Sequence, residues 1–278
     1  MPKRSPFFDN EDQSFVLYHG DALAILSEMK DEQFDLIVAD PPYFLSNGGM
    51  TCHSGKRALV DKGKWDVPGS VEENHQFNLL WLKECQRLLK PNGALWVSGT
   101  MHAIFSIGFA MQQLGYKLLN DVIWYKSNAP PNLSCRYFTH STERLIWGSK
   151  NKKSKHVFND ALMRSFNEGK QMRNVWVGTD EDSAADLDLW KITAPSRQEK
   201  RHGKHPTQKP VELLRRILLA SSHEGDLVFD PFQGSGTTGI VAHSLGRRYV
   251  GIDQEEKYLK MTVKRLNSGR IHPAVTRT

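Results

Sequence analysis

The sequence predicts an α/β fold: a doubly wound, mostly parallel sheet with helices on both faces. Three observations carry that expectation. Short apolar runs without helical period alternate with stretches of helical apolar spacing along much of the chain. Leu36-Ile37-Val38-Ala39 is apolar at every position and too short for a helix, the mark of a strand buried on both faces. A glycine-rich turn, Gln233-Gly234-Ser235-Gly236, lies between a second such run and a helical stretch.

Taken in order, Ser14 to Tyr18 reads as a short strand, followed by a turn at His19-Gly20-Asp21. Ala22 to Lys30 is a helix with Leu23, Leu26 and Met29 at helical spacing. The Leu36 strand ends at Asp40, because Pro41 has no N–H for the ladder and pushes Asp40 out of the α region. Phe44 to Gly69 is rich in Gly, Ser and Lys without period and reads as a long loop, a length usually tied to function or disorder. Val71 to Leu89 is a helix closed by Lys90-Pro91-Asn92-Gly93, Ala94 to Ser98 a strand, and Ala103 to Leu114 a helix stopped at Gly115. Asn120 to Tyr125 and Glu143 to Gly148 read as strands flanking a polar loop.

From Lys126 to about Arg201 the texture turns basic and weakly periodic. It holds Lys150, Lys152, Lys153, Lys155, Arg164, Lys170 and Arg173, the aromatics Trp176 and Trp190, and an acidic island from Asp180 to Asp188. Such a lysine run serves either a polyanionic partner or a solvated loop. Regular structure resumes with a helix from Val211 to Ser221 and a buried strand from Asp226 to Asp230. A helix from Gly239 to Leu245, a strand from Arg248 to Asp253 and a closing helix from Lys257 to Leu266 follow.

The chain of 278 residues can bury a substantial core, and its formal net charge of +6 permits a nucleic-acid partner. Cys52, Cys85 and Cys135 are scattered, with neither zinc spacing nor a disulfide framework, which suits a reducing compartment. Met1 to Asn10 lacks the apolar core of a signal peptide, and no apolar run approaches the ~20 residues of a membrane span. A cytoplasmic location without membrane contact is expected.

Asp40 falls at the carboxyl end of a buried parallel strand, where open α/β sheets place their ligands. Pro41 and Pro42 make a stiff corner with free carbonyls, and Tyr43 sets a flat face beside it. In the second landmark, Gly234 and Gly236 permit backbone conformations closed to other residues and a close ligand approach. Thr237 and Thr238 can cap the helix that follows. The next strand ends in Asp253, where an acid accepts hydrogen bonds from ribose hydroxyls in Rossmann-like folds. The turn lacks the GxGxxG spacing of dinucleotide enzymes, and no Lys follows Gly236 as in a Walker A loop. With no basic residue there to meet a phosphate, the pattern suits a phosphate-free adenosine ligand with a positive centre, as S-adenosylmethionine is. A glycine turn that binds nothing is the bland alternative.

Asp40-Pro41-Pro42-Tyr43 together with Asp230-Pro231-Phe232-Gln233-Gly234-Ser235-Gly236 resembles the DNA amino-methyltransferase family. The Asp40 motif precedes the glycine motif, the permuted order of that family's β group, whose members are mostly adenine-N6 methylases. Further matches are His19-Gly20-Asp21, His205-Pro206-Thr207-Gln208-Lys209-Pro210 and Gly251-Ile252-Asp253, so the resemblance runs from about Phe15 to Leu266. Within the group, Phe44-Leu45-Ser46-Asn47-Gly48-Gly49 and the stretch from Asn132 to Glu143 are similar to the accessory methylases of DpnII-type restriction systems. Those enzymes methylate adenine in GATC and accept single-stranded DNA.

The resemblance implies a Rossmann-like, seven-stranded, circularly permuted sheet in a single domain over 1–278. A DNA-recognition region would be inserted at about 126–201 and an active-site loop would span 44–69. The Asp40 carboxylate and Pro41 carbonyl would accept the two N6 hydrogens of adenine, Pro42 would stiffen the corner, and Tyr43 would stack on the base. For S-adenosylmethionine, Asp230, Phe232, Gly234, Ser235 and Gly236 would surround the methionine end, with Thr207 and Lys209 near its carboxylate. Asp253 would bind the ribose, and Asp21 with the amide of Ala22 would meet the adenine ring. Asp21 reads equally as a helix N-cap, and Lys209 equally as a plain surface lysine. Asn128, Asn132, Ser134, Arg136, His140 and Thr142 are candidate base readers, since Asn and Arg match purine edges. Lys152 and Lys153 are candidate phosphate contacts on DNA, double- or single-stranded.

No metal is expected, because the histidines show no ligand spacing and methyl transfer requires none. The resemblance also makes a homodimer, a nucleoid location and a restriction endonuclease sharing the recognition site plausible. A cytosine-N4 methylase shares the mechanism, but that group usually carries Ser at the position of Asp40. RNA and protein methylases typically carry Asn there. A DNA-binding module with a decayed cofactor site is the alternative from another class, and both motifs stand intact against it.

Overall fold

In the runs 15–18, 36–39 and 227–229 both rows of side chains are apolar, so the sheet they form must be covered twice. The computed structural model describes residues 1–44, 50–53, 56–59, 69–126, 129, 131–176, 192 and 194–269. The elements run β1 (Phe8–Asp9), β2 (Phe15–His19), α1 (Ala22–Glu28), β3 (Phe34–Ala39), β4 (Met50–His53), β5 (Lys56–Leu59) and α2 (Val71–Leu88). Then come β6 (Leu89–Gly99), α3 (Ile104–Gln113), β7 (Lys117–Tyr125), β8 (Thr142–Ser149), α4 (Asp160–Ser165) and β9 (Val175–Trp176). The chain closes with α5 (Val211–Ser221), β10 (Leu227–Asp230), α6 (Thr237–Ser244), β11 (Arg248–Asp253) and α7 (Glu256–Asn267).

Val16 and Tyr18 of β2 and Ile37 and Ala39 of β3 pack into one core with α1, α2 and α3, through Ile25, Trp81 and Ile107. Phe15, Leu17, Leu36 and Val38 pack into a second core with α5, α6 and α7, through Leu218, Val241 and Leu259. The doubly wound arrangement is therefore a consequence of strand alternation. Ser70 fixes where α2 begins: its hydroxyl accepts the Glu73 amide at 3.1 Å, while the Glu73 carboxylate accepts the Ser70 amide at 2.7 Å.

The main sheet has nine strands in the order β1-β2-β11-β10-β3-β6-β8-β7-β9. β2, β11, β10, β3 and β6 are parallel, and β8 runs antiparallel to both β6 and β7. β1 and β9 are two-residue edge strands; without them the count is the seven expected. β10 lies between β11 and β3, with Asp230 opposite Gly251 and Phe229 opposite Ile37. Asp40 and Asp230, distant in the chain, thus leave neighbouring strands, which lie roughly 4.8 Å apart, at the same edge. Along that edge Asp21 follows β2, Asp253 ends β11, Asp230 ends β10, Asp40 follows β3, and Glu143 enters β8.

Several segments differ from the sequence reading. β6 begins at Leu89, so Lys90-Pro91 lies at the start of a strand, a position where proline is tolerated. The stretch read as a featureless loop holds the antiparallel β4–β5 hairpin, whose main-chain pairing needs no apolar period. α4 and β9 lie in the stretch read as weakly periodic. Residues 45–49, 54–55 and 60–68 of the loop, Asn128, the acidic island from Asp180 to Asp188 and Trp190 lie outside the described residues. Among the described residues no helix is long and apolar enough to cross a membrane.

Candidate active site

A cavity of about 340 Å³ opens at the carboxyl edge of the sheet, within the ~300–1,000 Å³ typical of small-molecule sites. Asp21, Ala22, Asp40, Pro42, Thr207, Lys209, Asp230, Phe232, Gly234, Ser235 and Asp253 all line it. Residues from both ends of the chain are thus gathered by strand order alone. Lys209 is the single lysine or arginine among the described lining residues, while four lining residues are aspartates.

The glycine turn leads from β10 into α6. Gly234 (φ +48°) and Gly236 (φ +70°) are in the left-handed region, and a Cβ at Gly236 would lie 2.8 Å from Thr262 Cβ. Gly236 itself takes the N-cap position of α6, with no side-chain cap. Thr237 and Thr238 are therefore inside the first turn and do not cap it, contrary to the sequence reading, because the helix begins directly after the left-handed Gly236, two residues earlier than read. α7 clamps the turn from behind: Arg265 donates to Ser235 O (2.5 Å) and to Thr237 Oγ1 (3.0 Å), and Thr262 Oγ1 donates to Gln233 Oε1 (3.2 Å).

Buried Asp230 and half-buried Asp253 face this half of the cavity. Burial pushes Asp230 up to about 7, although it accepts the Phe232 amide at 3.0 Å and a bond from Thr238. Burial likewise pushes Asp253 up to about 7, against the Glu255 amide at 2.8 Å. Neither forms an ion pair among the described residues. Asp21 does cap α1, accepting the Ala24 amide at 2.9 Å, and lines the cavity as well.

The other half is organised differently. Asp40 Oδ1 accepts from the Tyr43 hydroxyl (2.5 Å) and from Ser98 Oγ (2.6 Å), and Oδ2 holds Lys209 Nζ at 2.6 Å. Lys209 also reaches Glu143 Oε1 at 3.0 Å, and Lys126 holds Glu143 Oε2 at 2.7 Å. Burial opposes charge on Lys209, but Asp40 and Glu143 outweigh it and raise its pKa. Glu143 shows the mirror image: burial raises it, and Lys209 with Lys126 brings it below the ordinary carboxylate range.

Two of the expected site side chains turn inward here. Lys209 is not the plain surface lysine: it is buried against Asp40 and Glu143, whose two acids converge on its ammonium, and it lines the cavity together with Thr207. Tyr43, read as a stacking face for the base, is only 4% exposed and aims its hydroxyl inward at Asp40 and Glu143.

The candidate DNA-contacting residues separate into two places. Asn132, Ser134, Arg136 and His140 sit between β7 and β8, and Thr142 begins β8, at the edge that carries Asp40. Arg136, His140 and Thr142 are exposed. Asn132 is a scaffold of its own loop, donating to Tyr137 O (2.6 Å) and accepting from the Ser134 amide and hydroxyl. Lys152 and Lys153 follow β8 at the opposite edge, where Lys150 donates to Leu89 O and Ser154 to Pro91 O. β8 runs antiparallel to β6, so its eight residues carry the lysine run roughly 25 Å from Asp40, and the structure does not bring it to the cavity.

Ser98, Glu143, Lys126 and Arg265 are site residues that the motifs did not reveal. Among the described residues, no cluster of three or more His, Cys, Asp or Glu side chains is arranged to hold a metal.

A family model described as DNA methylase matches residues 34–264. The type II methyltransferase M2.LlaDCHI of Lactococcus lactis subsp. cremoris is 51% identical over 95% of this chain and 93% of its own length. M2.DpnII of Streptococcus pneumoniae is 50% identical over 95% and 92%, and M2.MboI of Moraxella bovis 43% over 94% and 90%. Among solved structures, the M1.HpyAVI–SAM complex is similar at TM-score 0.63 and 26% identity, over 91% of this chain and 99% of that one. The cytosine-N4-specific PvuII methyltransferase shares the fold at TM-score 0.69 and 18% identity, over 99% and 92%. The chain belongs to the DNA methylase family of S-adenosylmethionine-dependent methyltransferases.

Proposed function

We propose that this enzyme methylates the N6 amino group of adenine in DNA, at GATC, in duplex and single strands, as a modification component of a restriction–modification system. The observation that carries this reading is the hydrogen-bond state of Asp40. Two donors occupy Oδ1, and Oδ2 accepts one bond from Lys209, which leaves one acceptor position of a carboxylate at the cavity. An exocyclic amino group is what such a position receives. The acid at this place, where the cytosine-N4 group usually has Ser, supports adenine. Similarity to the DpnII-type accessory methylases supports GATC and single-strand use, and makes a restriction endonuclease of the same site its functional counterpart.

The residues present fit S-adenosylmethionine. Carboxylates without ion pairs suit a sulfonium, an ammonium and ribose hydroxyls, and they disfavour phosphate. Asp253 would hold the ribose, Asp21 and Ala22 the adenine ring, and Asp230, Phe232, Gly234, Ser235 and Gly236 the methionine end. Thr207 lines the same wall. When bound, the cofactor supplies an electrophilic methyl group.

The lone pair of the adenine amino nitrogen is delocalised into the ring and is a weak nucleophile. Asp40 Oδ2 and the Pro41 carbonyl would accept its two hydrogens and draw it toward tetrahedral geometry, which frees the lone pair. Positive charge develops on that nitrogen, and a fixed acceptor beside it stabilises the transition state. Placement on a stiff diproline corner supplies the orientation. In a duplex the base must first leave the stack, at a few kcal/mol, a cost that single strands largely avoid.

Transfer of tritiated methyl groups to duplex and single-stranded oligonucleotides with one GATC, followed by nucleoside analysis, tests the proposal. N6-methyladenine in both is expected. N4-methylcytosine, or label independent of GATC, overturns it.

A further inference from the structure

Glu143 has no part in the reaction as described, yet it is bonded to the groups that hold the catalytic acid. It enters β8 and its side chain is 5% exposed. Oε2 takes Lys126 at 2.7 Å, while Oε1 takes Lys209 at 3.0 Å and lies 2.9 Å from the Tyr43 hydroxyl. Lys209 has three N–H groups and three acceptors around it: Asp40 Oδ2 at 2.6 Å, Glu143 Oε1 at 3.0 Å and the Tyr43 oxygen at 3.1 Å. Tyr43 has one proton and two carboxylates within reach. The two acids therefore share Lys209 and compete for the one Tyr43 proton.

That sharing has a consequence for Asp40. Without the second carboxylate, the ammonium and the phenol would both turn fully onto Asp40, and its remaining acceptor position would weaken. Glu143 is also placed at the base of the loop between β7 and β8. Lys126 follows β7 and Glu143 starts the return strand, and the Lys126 amide donates to Ser141 O at 2.7 Å across the same base.

We infer that Glu143 is a positioning residue for methyl transfer. By dividing Lys209 and Tyr43 between itself and Asp40, it keeps the Asp40 carboxylate open to the amino group of the base, and it anchors the β7–β8 loop to the catalytic acid. The inference rests on the proposed adenine chemistry. The charged and titratable groups that face the pair are Lys209, Tyr43 and Lys126, with Asp230 interacting with Asp40 across the cavity.

The test uses Glu143→Gln, which keeps the shape but removes the charge and turns one of the two acceptor positions into a donor, and the double variant Lys126→Met/Glu143→Gln, which also removes the ammonium that the new amide N–H would face. Methyl transfer to GATC oligonucleotides and cofactor binding by calorimetry are measured on the full chain. In both variants kcat is expected to fall on the order of 100-fold, the scale of a misplaced catalytic group, with cofactor affinity unchanged. A Glu143 that serves only to pair Lys126 would regain activity in the double variant, where Lys126 is neutral. Near-normal kcat in either variant, or a loss confined to cofactor affinity, overturns the inference. Wild-type enzyme that makes no N6-methyladenine overturns the adenine reading instead, so the two failures are distinct.

Discussion

The two halves of the cavity edge are both lined by acids and are electrostatically opposite. On the side of β11 and β10, half-buried Asp253 and buried Asp230 have no ion pair among the described residues, and desolvation raises both to about 7. On the side of β3 and β8, Glu143 is buried too, but Lys209 and Lys126 carry it below the ordinary range. Both acids of the first half accept hydrogen bonds, but a carboxylate with no counter-charge in a low-dielectric site is costly to ionise. The first half is therefore incomplete by itself and is built to take donors and positive charge from a ligand. The second half is already neutral within the protein. What it offers a substrate is a single well-placed acceptor, which suits a neutral amino group.

If the halves do separate in this way, substitutions should separate binding from turnover. Asp40→Ala removes the acceptor from the balanced half. Methyl transfer is expected to fall at least ~1,000-fold, while calorimetric cofactor affinity stays within a factor of about three. A large loss of affinity would merge the halves. Asp253→Asn acts on the other side. It removes a charged acceptor and should weaken cofactor binding on the order of 100-fold, with kcat at saturating cofactor close to wild type. A fall in kcat with unchanged affinity would place Asp253 in the chemistry.

The difference between the halves also explains what the sequence could show. Asp40, Asp230 and Asp253 each end an apolar run, so both their strand and their edge were legible before any coordinates. Glu143 ends nothing. It opens a strand, and its burial depends on Lys209 arriving from a segment far along the chain, which no local pattern encodes. The lysine run at 150–155 showed its charge, but the antiparallel direction of β8 decides which edge it reaches. Asn132 did carry a signal that was passed over: Asn followed two residues later by Ser is a common side-chain turn, and that turn is what forms.

Tyr43→Phe sharpens the balanced half at smaller scale. The ring stays and the hydroxyl goes, so Asp40 Oδ1 and Glu143 Oε1 lose a shared donor. A decrease in kcat of about tenfold is expected, the scale of one hydrogen bond to a charged group. Wild-type kcat would return Tyr43 to the role of a ring that packs or stacks.

The smallest effect follows from the pKa values themselves. A raised folded pKa means that Asp230 and Asp253 hold protons in the native state that the unfolded chain, with carboxylates near ~4, has released. Between about 4 and about 7 the native state thus binds more protons, and their contribution to stability declines as pH rises through that window. Glu143 has the opposite sign: its lowered pKa contributes stability above the unfolded value, and that contribution is lost as pH falls. A cofactor that donates hydrogen bonds to ionised Asp253 must bind better when the acid has lost its proton. Calorimetric affinity is therefore expected to fall about fourfold from pH 8 to pH 6.5 for one coupled proton near 7, and the apparent binding enthalpy should vary with buffer ionisation heat. In Asp253→Asn much of that slope should vanish. An affinity flat over this range in the wild-type enzyme would mean that the cofactor leaves the protonation of the uncompensated half untouched, and the contrast between the halves would then concern only the free protein.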